Sequence, residues 1–212
     1  MRLASPTRIL KSRNIRVLLL AIGAYALMAG GGYARPVEIA IFHTTDLHGH
    51  ILPTTDYEGR LDVGGLLRCS TRLKELRERH PHHLLLDCGD LYQGAAESYL
   101  TDGRIMIRAL DWLRYDAWIL GNHEFDWGLQ KMRALHDRVQ TPMIAANLAA
   151  RPTRAHPLPR VVPFIVREFD GVKVAVVGLI TPGVPTWSTP DLVRDILIER
   201  SIVALIRVIP AV

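Results

Sequence analysis

Short apolar runs alternate with amphipathic stretches along the chain from residue 37 onward. Runs bounded by polar clusters predict buried strands, which we place at residues 37–43, 84–87, 117–120 and, more weakly, 143–146. Apolar positions that recur every three or four residues predict helices over residues 66–79, 104–113 and 130–138. Because strands alternate with helices, the pattern indicates an α/β fold.

The pattern changes after the proline-rich loop predicted at residues 152–163. Two apolar runs, 164–169 and 172–179, are separated by Asp170 and Gly171, and Asp-Gly between such runs predicts a β-hairpin. We therefore expect a mixed sheet. A loop over 181–190 and a helix over 192–208 should follow. If the alternation continues, another core strand is due next, so we expect a C-terminally truncated domain.

The first 34 residues have a composition of their own. Their basic residues precede an uncharged, mainly apolar run over 17–32; they are Arg2, Arg8, Lys11, Arg13 and Arg16. Gly32 and Ala34 then offer a small-x-small cleavage site, so residues 1–34 are interpreted as a signal peptide. An uncleaved anchor or a buried helix are the alternatives. A signal or an anchor would leave residues 35–212 exported, in the periplasm or outside the cell, with membrane contact only through the export signal.

Composition narrows the remaining function classes. The formal charge of +5 includes five of the 26 basic residues in the predicted signal, and no basic-aromatic patch follows. We therefore expect no nucleic-acid polymer as a partner. Cys69 and Cys88 could pair in an exported protein, but their apolar surroundings favour two buried, packed thiols.

Polar residues concentrate where three predicted strands end, at residues 44–50, 87–90 and 121–126. In an open α/β sheet, ligands bind beyond the carboxyl ends of the strands, so the three clusters should meet. Asp46 and His48 lie two residues apart and could reach one metal ion, and Asp90 could bridge to a second. Each motif alone is weakly specific, but the three in order form a strong combination. Glu124 is expected only to cap or pair locally.

The motifs Asp46-x-His48, Gly89-Asp90 and Gly121-Asn122-His123-Glu124 resemble the first three signature blocks of the calcineurin-like metallophosphoesterases. Over a longer stretch, the sequence around these blocks is similar to that of the 5'-nucleotidase and UDP-sugar hydrolase branch. The resemblance covers residues 37–190. It implies a metallophosphoesterase-type mixed β-sandwich flanked by helices. Residues 35–212 would be the N-terminal portion of that domain.

The resemblance also implies a set of metal ligands. Asp46 and His48 would bind a first ion, and Asp90 would bridge both ions. Asn122 would bind the second ion and contact substrate phosphate. Two divalent cations are implied, and Zn, Mn, Fe and Mg all remain open.

The remaining roles implied by the resemblance are catalytic. His123 would be the catalytic imidazole over the leaving oxygen, and Asp126 would hold its ring. A metal-activated water would attack the phosphorus of a nucleotide or another phosphate ester.

The sequence departs from the family pattern in its later part. The family completes its site with further histidines, whereas only His136 and His156 follow His123, in a predicted helix and the proline-rich loop. We therefore expect little or no activity from this chain alone. An inactive fragment, a binding module, or a hydrolase of another ester such as a sulfur compound are the alternatives. The sequence leaves the oligomeric state open.

Overall fold

The computed structural model describes residues 35–152 and 155–212. The predicted signal peptide at residues 1–34 lies outside the described residues and stays a prediction. Residues Val37–Val212 form one compact unit. No helix within the described ranges has the length and apolar character needed to cross a membrane.

A four-stranded parallel sheet forms the centre of this unit. Its strands are β1 (Ala40–Thr44), β2 (His83–Asp87), β3 (Ala117–Ile119) and β4 (Met143–Ile144), in the order β1-β2-β3-β4. The register pairs Thr44 with Asp87, and Asp87 with Trp118. All four predicted strands are confirmed, with shorter bounds at β1, β3 and β4, and their carboxyl ends share one edge.

Four helices follow the strands of this sheet along the chain. They are α1 (Leu66–Arg79), α2 (Ala96–Leu100), α3 (Arg104–Trp112) and α4 (Gly128–His136). The predictions for α1, α3 and α4 are confirmed, whereas the short α2 was not predicted. Leu66, Leu110 and Met132 are fully buried in the core beside Trp118. Each such side chain contributes about 1.5–3 kcal/mol relative to an exposed one, so these helices hold the sheet edge in place.

Four further strands form two antiparallel pairs. The strands β5 (Leu148–Ala150) and β8 (Ile196–Ile198) pair with each other, and so do β6 (Phe164–Phe169) and β7 (Val172–Val177). Asp170 and Gly171 have φ values of 47° and 83°, and a two-residue type I′ turn requires a positive φ at both positions. The predicted hairpin is therefore confirmed.

The predicted α/β fold with both parallel and antiparallel strands is confirmed, although the hairpin pairs in a two-stranded sheet of its own. The two sheets meet through the Ala146 amide, which donates to the Gly178 carbonyl at 2.7 Å. A Cβ on Gly178 would lie 2.3 Å from the carbonyl oxygen of Ile144. Strand β4 has only two residues and ends at Ile144, where the end of the hairpin comes close to it.

The predicted helix over residues 192–208 is wrong in its first half. This part of the chain contains α5 (Val184–Trp187), α6 (Pro190–Val193), β8 and α7 (Ser201–Val208). The first of these helices also interrupts the loop predicted at 181–190. The amide of Glu199 donates to the Asn147 carbonyl at 2.8 Å, beside the ladder between β8 and β5. Pairing with a strand about 50 residues earlier therefore overrides the local helical pattern.

Candidate metal centre

The turns that follow β1 and β2 are joined by backbone hydrogen bonds. The Asp46 amide donates to the Gly89 carbonyl at 3.0 Å, and the His48 amide donates to the Asp90 carbonyl at 2.9 Å. Asp46, His48 and Asp90 all have positive φ values, of 53°, 45° and 56°. A non-glycine residue in this region costs of order 1–3 kcal/mol and persists only where its surroundings hold it. Three predicted metal ligands thus sit on a strained but cross-linked backbone.

Two glycines let the turns after β2 and β3 touch. A Cβ on Gly89, whose φ is 98°, would lie 2.3 Å from the Gly121 nitrogen. A Cβ on Gly121 would lie 2.3 Å from a carboxylate oxygen of Asp90. No side chain fits at either position, so glycine is required for the backbones to approach so closely.

His48, Asp90 and His123 come together at this edge of the sheet. One potential ligand atom from each lies within 4.8 Å of those from the other two. The two imidazole rings meet edge to face with centroids 5.1 Å apart, and Asp90 is 9% exposed. Imidazole nitrogens and a carboxylate are donor types that suit Zn, Mn or Fe, so this group fits a site that binds such an ion.

The other two predicted metal ligands lie at the margin of this group. Asp46 is exposed, and its Oδ1 lies 3.9 Å from Nε2 of His48. Asn122 is half-buried and directly precedes a 3-10 turn, His123–Phe125. Their roles as ligands stay predictions.

His123 is held by both of its acidic neighbours. Its Nδ1 lies 2.7 Å from Oδ2 of Asp126, and its backbone amide donates to Oδ1 of Asp90 at 2.9 Å. The hydrogen bond to Asp126 raises the pKa of His123, and the negative charge of Asp90 adds to this. Because Asp126 occupies Nδ1, only Nε2 remains to face an ion or a substrate.

Glu124 organises the site although the sequence suggested only a local role. Its side chain is fully buried and accepts hydrogen bonds from three backbone amides, of Asp90 at 2.9 Å, Leu91 at 2.7 Å and Gly121 at 2.7 Å. Burial raises the pKa of Glu124 to about 7, and the charge of Asp90 adds to this. The signal in the sequence was its place three residues after a glycine turn, where a carboxylate can cap free amides.

Asp87, the last residue of β2, is a second buried carboxyl next to these turns. Thr44 donates its hydroxyl to Oδ2 of Asp87 at 2.7 Å, and the Gly89 amide donates to Oδ1 at 3.1 Å. Burial raises the pKa of Asp87 to about 8, and the charges of Glu124 and Asp90 act in the same direction. Burial thus favours the neutral form of both carboxyls, and the donors that fit a divalent metal are the Asp90 carboxylate and the imidazoles beside it.

The two later histidines have other surroundings. His136 is 3% exposed within α4. His156 accepts a hydrogen bond at Nδ1 from the Leu158 amide at 3.1 Å, and its Nε2 lies 3.3 Å from the Leu148 carbonyl. Neither residue lies in the group that His48, Asp90 and His123 form.

Acidification is expected to destabilise the protein through His136. Burial, reinforced by the charge of Arg160, lowers the pKa of His136 from 6.5 to about 4. The unfolded chain therefore binds the proton more tightly, and stability that is present above pH 6.5 is lost as the pH falls towards 4. Between pH 6.5 and 4.5 the loss should be about 2 kcal/mol. Urea unfolding at both pH values should show a smaller loss in a His136→Gln variant.

The exposed His43 provides the matched control for this experiment, because His43→Gln also removes one imidazole. If the His136→Gln and wild-type proteins lost equal stability on acidification, burial of His136 would not be the cause.

Both cysteines are free thiols. Cys69 is half-buried and packs against the core, as predicted, whereas Cys88 is exposed. The prediction that Cys88 is buried was wrong, because side chains alternate at the end of β2 and the inward position belongs to Asp87.

Comparisons with known proteins agree with this geometry. The family model described as calcineurin-like phosphoesterase matches residues 39–156, more than half of the chain. A snake venom 5'-nucleotidase from Crotalus adamanteus is 33% identical over 180 residues, which are 82% of this chain and 31% of that protein. The chain thus spans about a third of the length of such relatives.

Solved structures show the same fold. The NAD nucleotidase of Haemophilus influenzae matches with a TM-score of 0.69 and 24% identity, over 82% of this chain and 32% of that one. A 5'-nucleotidase precursor from Thermus thermophilus matches with a TM-score of 0.68 and 26% identity, over 81% of this chain and 34% of that one. The range matched by the family model, residues 39–156, contains His48, Asp90 and His123.

Proposed function

The chain belongs to the calcineurin-like phosphoesterases, and from this premise we propose that it forms the metal-binding front part of a phosphoesterase that hydrolyses nucleotide phosphate esters. The observation that carries the proposal is the group formed by His48, Asp90 and His123 beside the Asp126 carboxylate. The 5'-nucleotidases among its relatives support nucleotides as the substrate class.

In this proposal, the predicted ligands hold two divalent ions. Asp46 and His48 would hold one ion, Asp90 would contact both, and Asn122 would hold the other. When bound, the ions would lower the pKa of a water molecule and stabilise negative charge on phosphoryl oxygens. The backbone amides of Asp90 and Gly121 donate to the buried carboxyl group of Glu124, which holds both turns in position to bind the ions.

The chain supplies the proton donor through His123. With Nδ1 bonded to Asp126, a protonated ring presents its Nε2 hydrogen to the cleft. That hydrogen can pass to the leaving oxygen as the ester bond breaks, and the positive ring stabilises the charge that develops there. The raised pKa of His123 keeps more of the protein in this protonated form near neutral pH.

The proposal also includes export. The basic and apolar pattern of residues 1–34 supports a signal peptide, with residues 35–212 as the exported part. Amino-terminal sequencing of the protein after expression with its own leader would find Arg35 first if Ala34 is the cleavage site.

The first test of the proposed function compares the two central residues, Asp90 and His123. Asp90→Asn should weaken metal binding by at least about 10–100-fold, because the variant loses the charge shared between the ions. His123→Gln should keep the metal, since His123 acts on the substrate. Elemental analysis and calorimetric titration with Mn²⁺ on the 212-residue chain measure both effects, with the exposed Asp62→Asn as control. Loss of metal from His123→Gln would instead make His123 a ligand.

Hydrolysis then tests the chemical role of His123. Turnover of this chain should be low but metal-dependent, because the family's later histidines do not occur in residues 124–212. His123→Gln should lower hydrolysis of a nucleoside 5'-monophosphate about 10²–10⁴-fold. It should lower hydrolysis of 4-nitrophenyl phosphate much less, because that leaving oxygen needs no proton. Equal losses would argue against proton donation, and absence of both metal binding and turnover in the wild type would overturn the proposal.

A further inference from the structure

The imidazole of His48 is held by Gln93, a residue that the sequence patterns did not single out. Nδ1 of His48 lies 3.0 Å from the backbone carbonyl oxygen of Gln93 and 3.2 Å from its side-chain Oε1. A backbone carbonyl can only accept a hydrogen bond, so Nδ1 must carry the hydrogen. A neutral ring protonated at Nδ1 has its lone pair at Nε2. The nitrogen that can bind a cation is therefore Nε2.

The backbone of His48 is fixed by the same segment. The amide of Ala95 donates to the His48 carbonyl at 2.7 Å, and the His48 amide donates to the Asp90 carbonyl at 2.9 Å. His48 has a φ of 45°, which costs of order 1–3 kcal/mol for a residue with a side chain. Both peptide groups of His48 are thus held by residues that follow β2.

Gly94 makes this arrangement possible. Its φ is 137°, and a Cβ at this position would lie 2.4 Å from the carbonyl oxygen of His48. The chain after β2 therefore passes so close to His48 that only glycine fits between Gln93 and Ala95. This close passage brings both oxygens of Gln93 to one ring nitrogen.

We propose that Gln93 is a positioning residue, which fixes the tautomer and the orientation of His48 so that Nε2 faces the metal centre. The proposal rests on the metal centre of the proposed function and adds a residue to it. Acceptors on the far nitrogen of a metal-binding imidazole orient the ring and raise its basicity, and their loss typically weakens metal binding about 10–100-fold. The backbone carbonyl of Gln93 supplies one acceptor, and the side chain supplies the second.

The test compares two substitutions at Gln93 with one at the exposed Gln130 of α4. Gln93→Leu keeps the backbone acceptor and removes Oε1, so Mn²⁺ should bind the 212-residue chain about 10-fold more weakly. Gln93→Glu places a carboxylate at the ring, and because charged acceptors bind more strongly, affinity should equal or exceed that of the wild type. Gln130→Leu should bind as the wild type does. Calorimetric titration measures all four proteins.

A second measurement reports the tautomer without any metal. In ¹⁵N NMR spectra of the metal-free protein, His48 should carry its hydrogen on Nδ1 in the wild type. Gln93→Leu should show a detectable share of the Nε2-protonated form. A purely structural role for Gln93 would lower the thermal midpoint but would not move this equilibrium.

Two results would overturn the proposal: a wild-type His48 protonated at Nε2, or a Gln93→Leu variant that binds Mn²⁺ as tightly as Gln130→Leu. Failure of the proposed phosphoesterase function would give other results. If Mn²⁺ binding depends on Gln93 but no ester is hydrolysed, the positioning role stands and the catalytic proposal fails. If the wild type binds no Mn²⁺, the metal centre fails, and the positioning role towards it fails with it.

Discussion

Replacing Glu124 with alanine is expected to lower the free energy of unfolding by about 3–6 kcal/mol and to abolish metal binding. The carboxylate accepts hydrogen bonds from the amides of Asp90, Leu91 and Gly121, and it is fully buried. Leaving a buried amide without an acceptor costs about 1–3 kcal/mol, and three are affected here. Folded domains are stable by only about 5–15 kcal/mol, so this single loss is a large fraction of the total.

Urea unfolding at pH 6 and pH 8, on either side of the pKa of about 7 for Glu124, measures the effect. The loss should be smaller at pH 8, because ionising the buried carboxyl itself destabilises the folded wild type. A Glu124→Gln variant keeps one acceptor oxygen and should lose about half as much stability. The exposed Glu78 on α1 gives the control, and Glu78→Ala should change stability by less than about 0.5 kcal/mol. Equal unfolding midpoints for Glu124→Ala and Glu78→Ala would contradict the role given to Glu124.

The core of the site could be predicted because its signals are local. Asp46, His48, Asp90 and His123 each lie in a polar cluster just after an apolar strand, and parallel strands bring such clusters to one edge. His48, Asp90 and His123 do meet there. Gly89, whose position allows the close backbone approach, belongs to the second of the sequence motifs.

The long-range contacts of the supporting residues could not be predicted, because these partners are distant in the sequence. Glu124 bonds to the Asp90 and Leu91 amides, 34 and 33 residues earlier, and Gln93 bonds to a ring 45 residues earlier. Neither residue lies in a periodic pattern that would indicate where its side chain points. Contacts of this kind become visible only when the turns after β1, β2 and β3 are placed side by side.

Contacts between residues distant in the sequence also explain the main error in the predicted fold. Residues 196–198 lie within an apolar stretch of helical spacing, yet they form β8 because β5 offers an antiparallel partner. Asn147, at the start of this contact, is fully buried, and its side chain bonds to both the amide and the carbonyl of Ile180. Strand formation here depends on that non-local pairing, which outweighs local helix propensity.

Replacing Gly89 with alanine is expected to destabilise the protein by about 3–5 kcal/mol and to remove metal binding. Two costs add at this position. An alanine at a φ of 98° is strained, and its Cβ would lie 2.3 Å from the backbone nitrogen of Gly121, which cannot rotate away. The turns after β2 and β3 would have to separate, and Asp90 would move away from His123 with them.

Gly59 offers a control that separates the two costs. Its φ is 78°, but no atom lies within 4 Å of the position that a Cβ would take. Gly59→Ala should therefore lose only about 1–2 kcal/mol from the backbone conformation and should bind metal normally. Gly121→Ala should lose metal binding although φ at Gly121 is not positive. The cause is that its Cβ would lie 2.3 Å from a carboxylate oxygen of Asp90.

Urea unfolding and Mn²⁺ titration of the three alanine variants measure these expectations together. If Gly89→Ala and Gly121→Ala both lose metal while Gly59→Ala keeps it, close contact between the two turns is what holds Asp90 in place. If Gly89→Ala behaves like Gly59→Ala, the turns can separate without disturbing the site. The metal centre would then depend on the amides bound by Glu124 rather than on contact between the glycines.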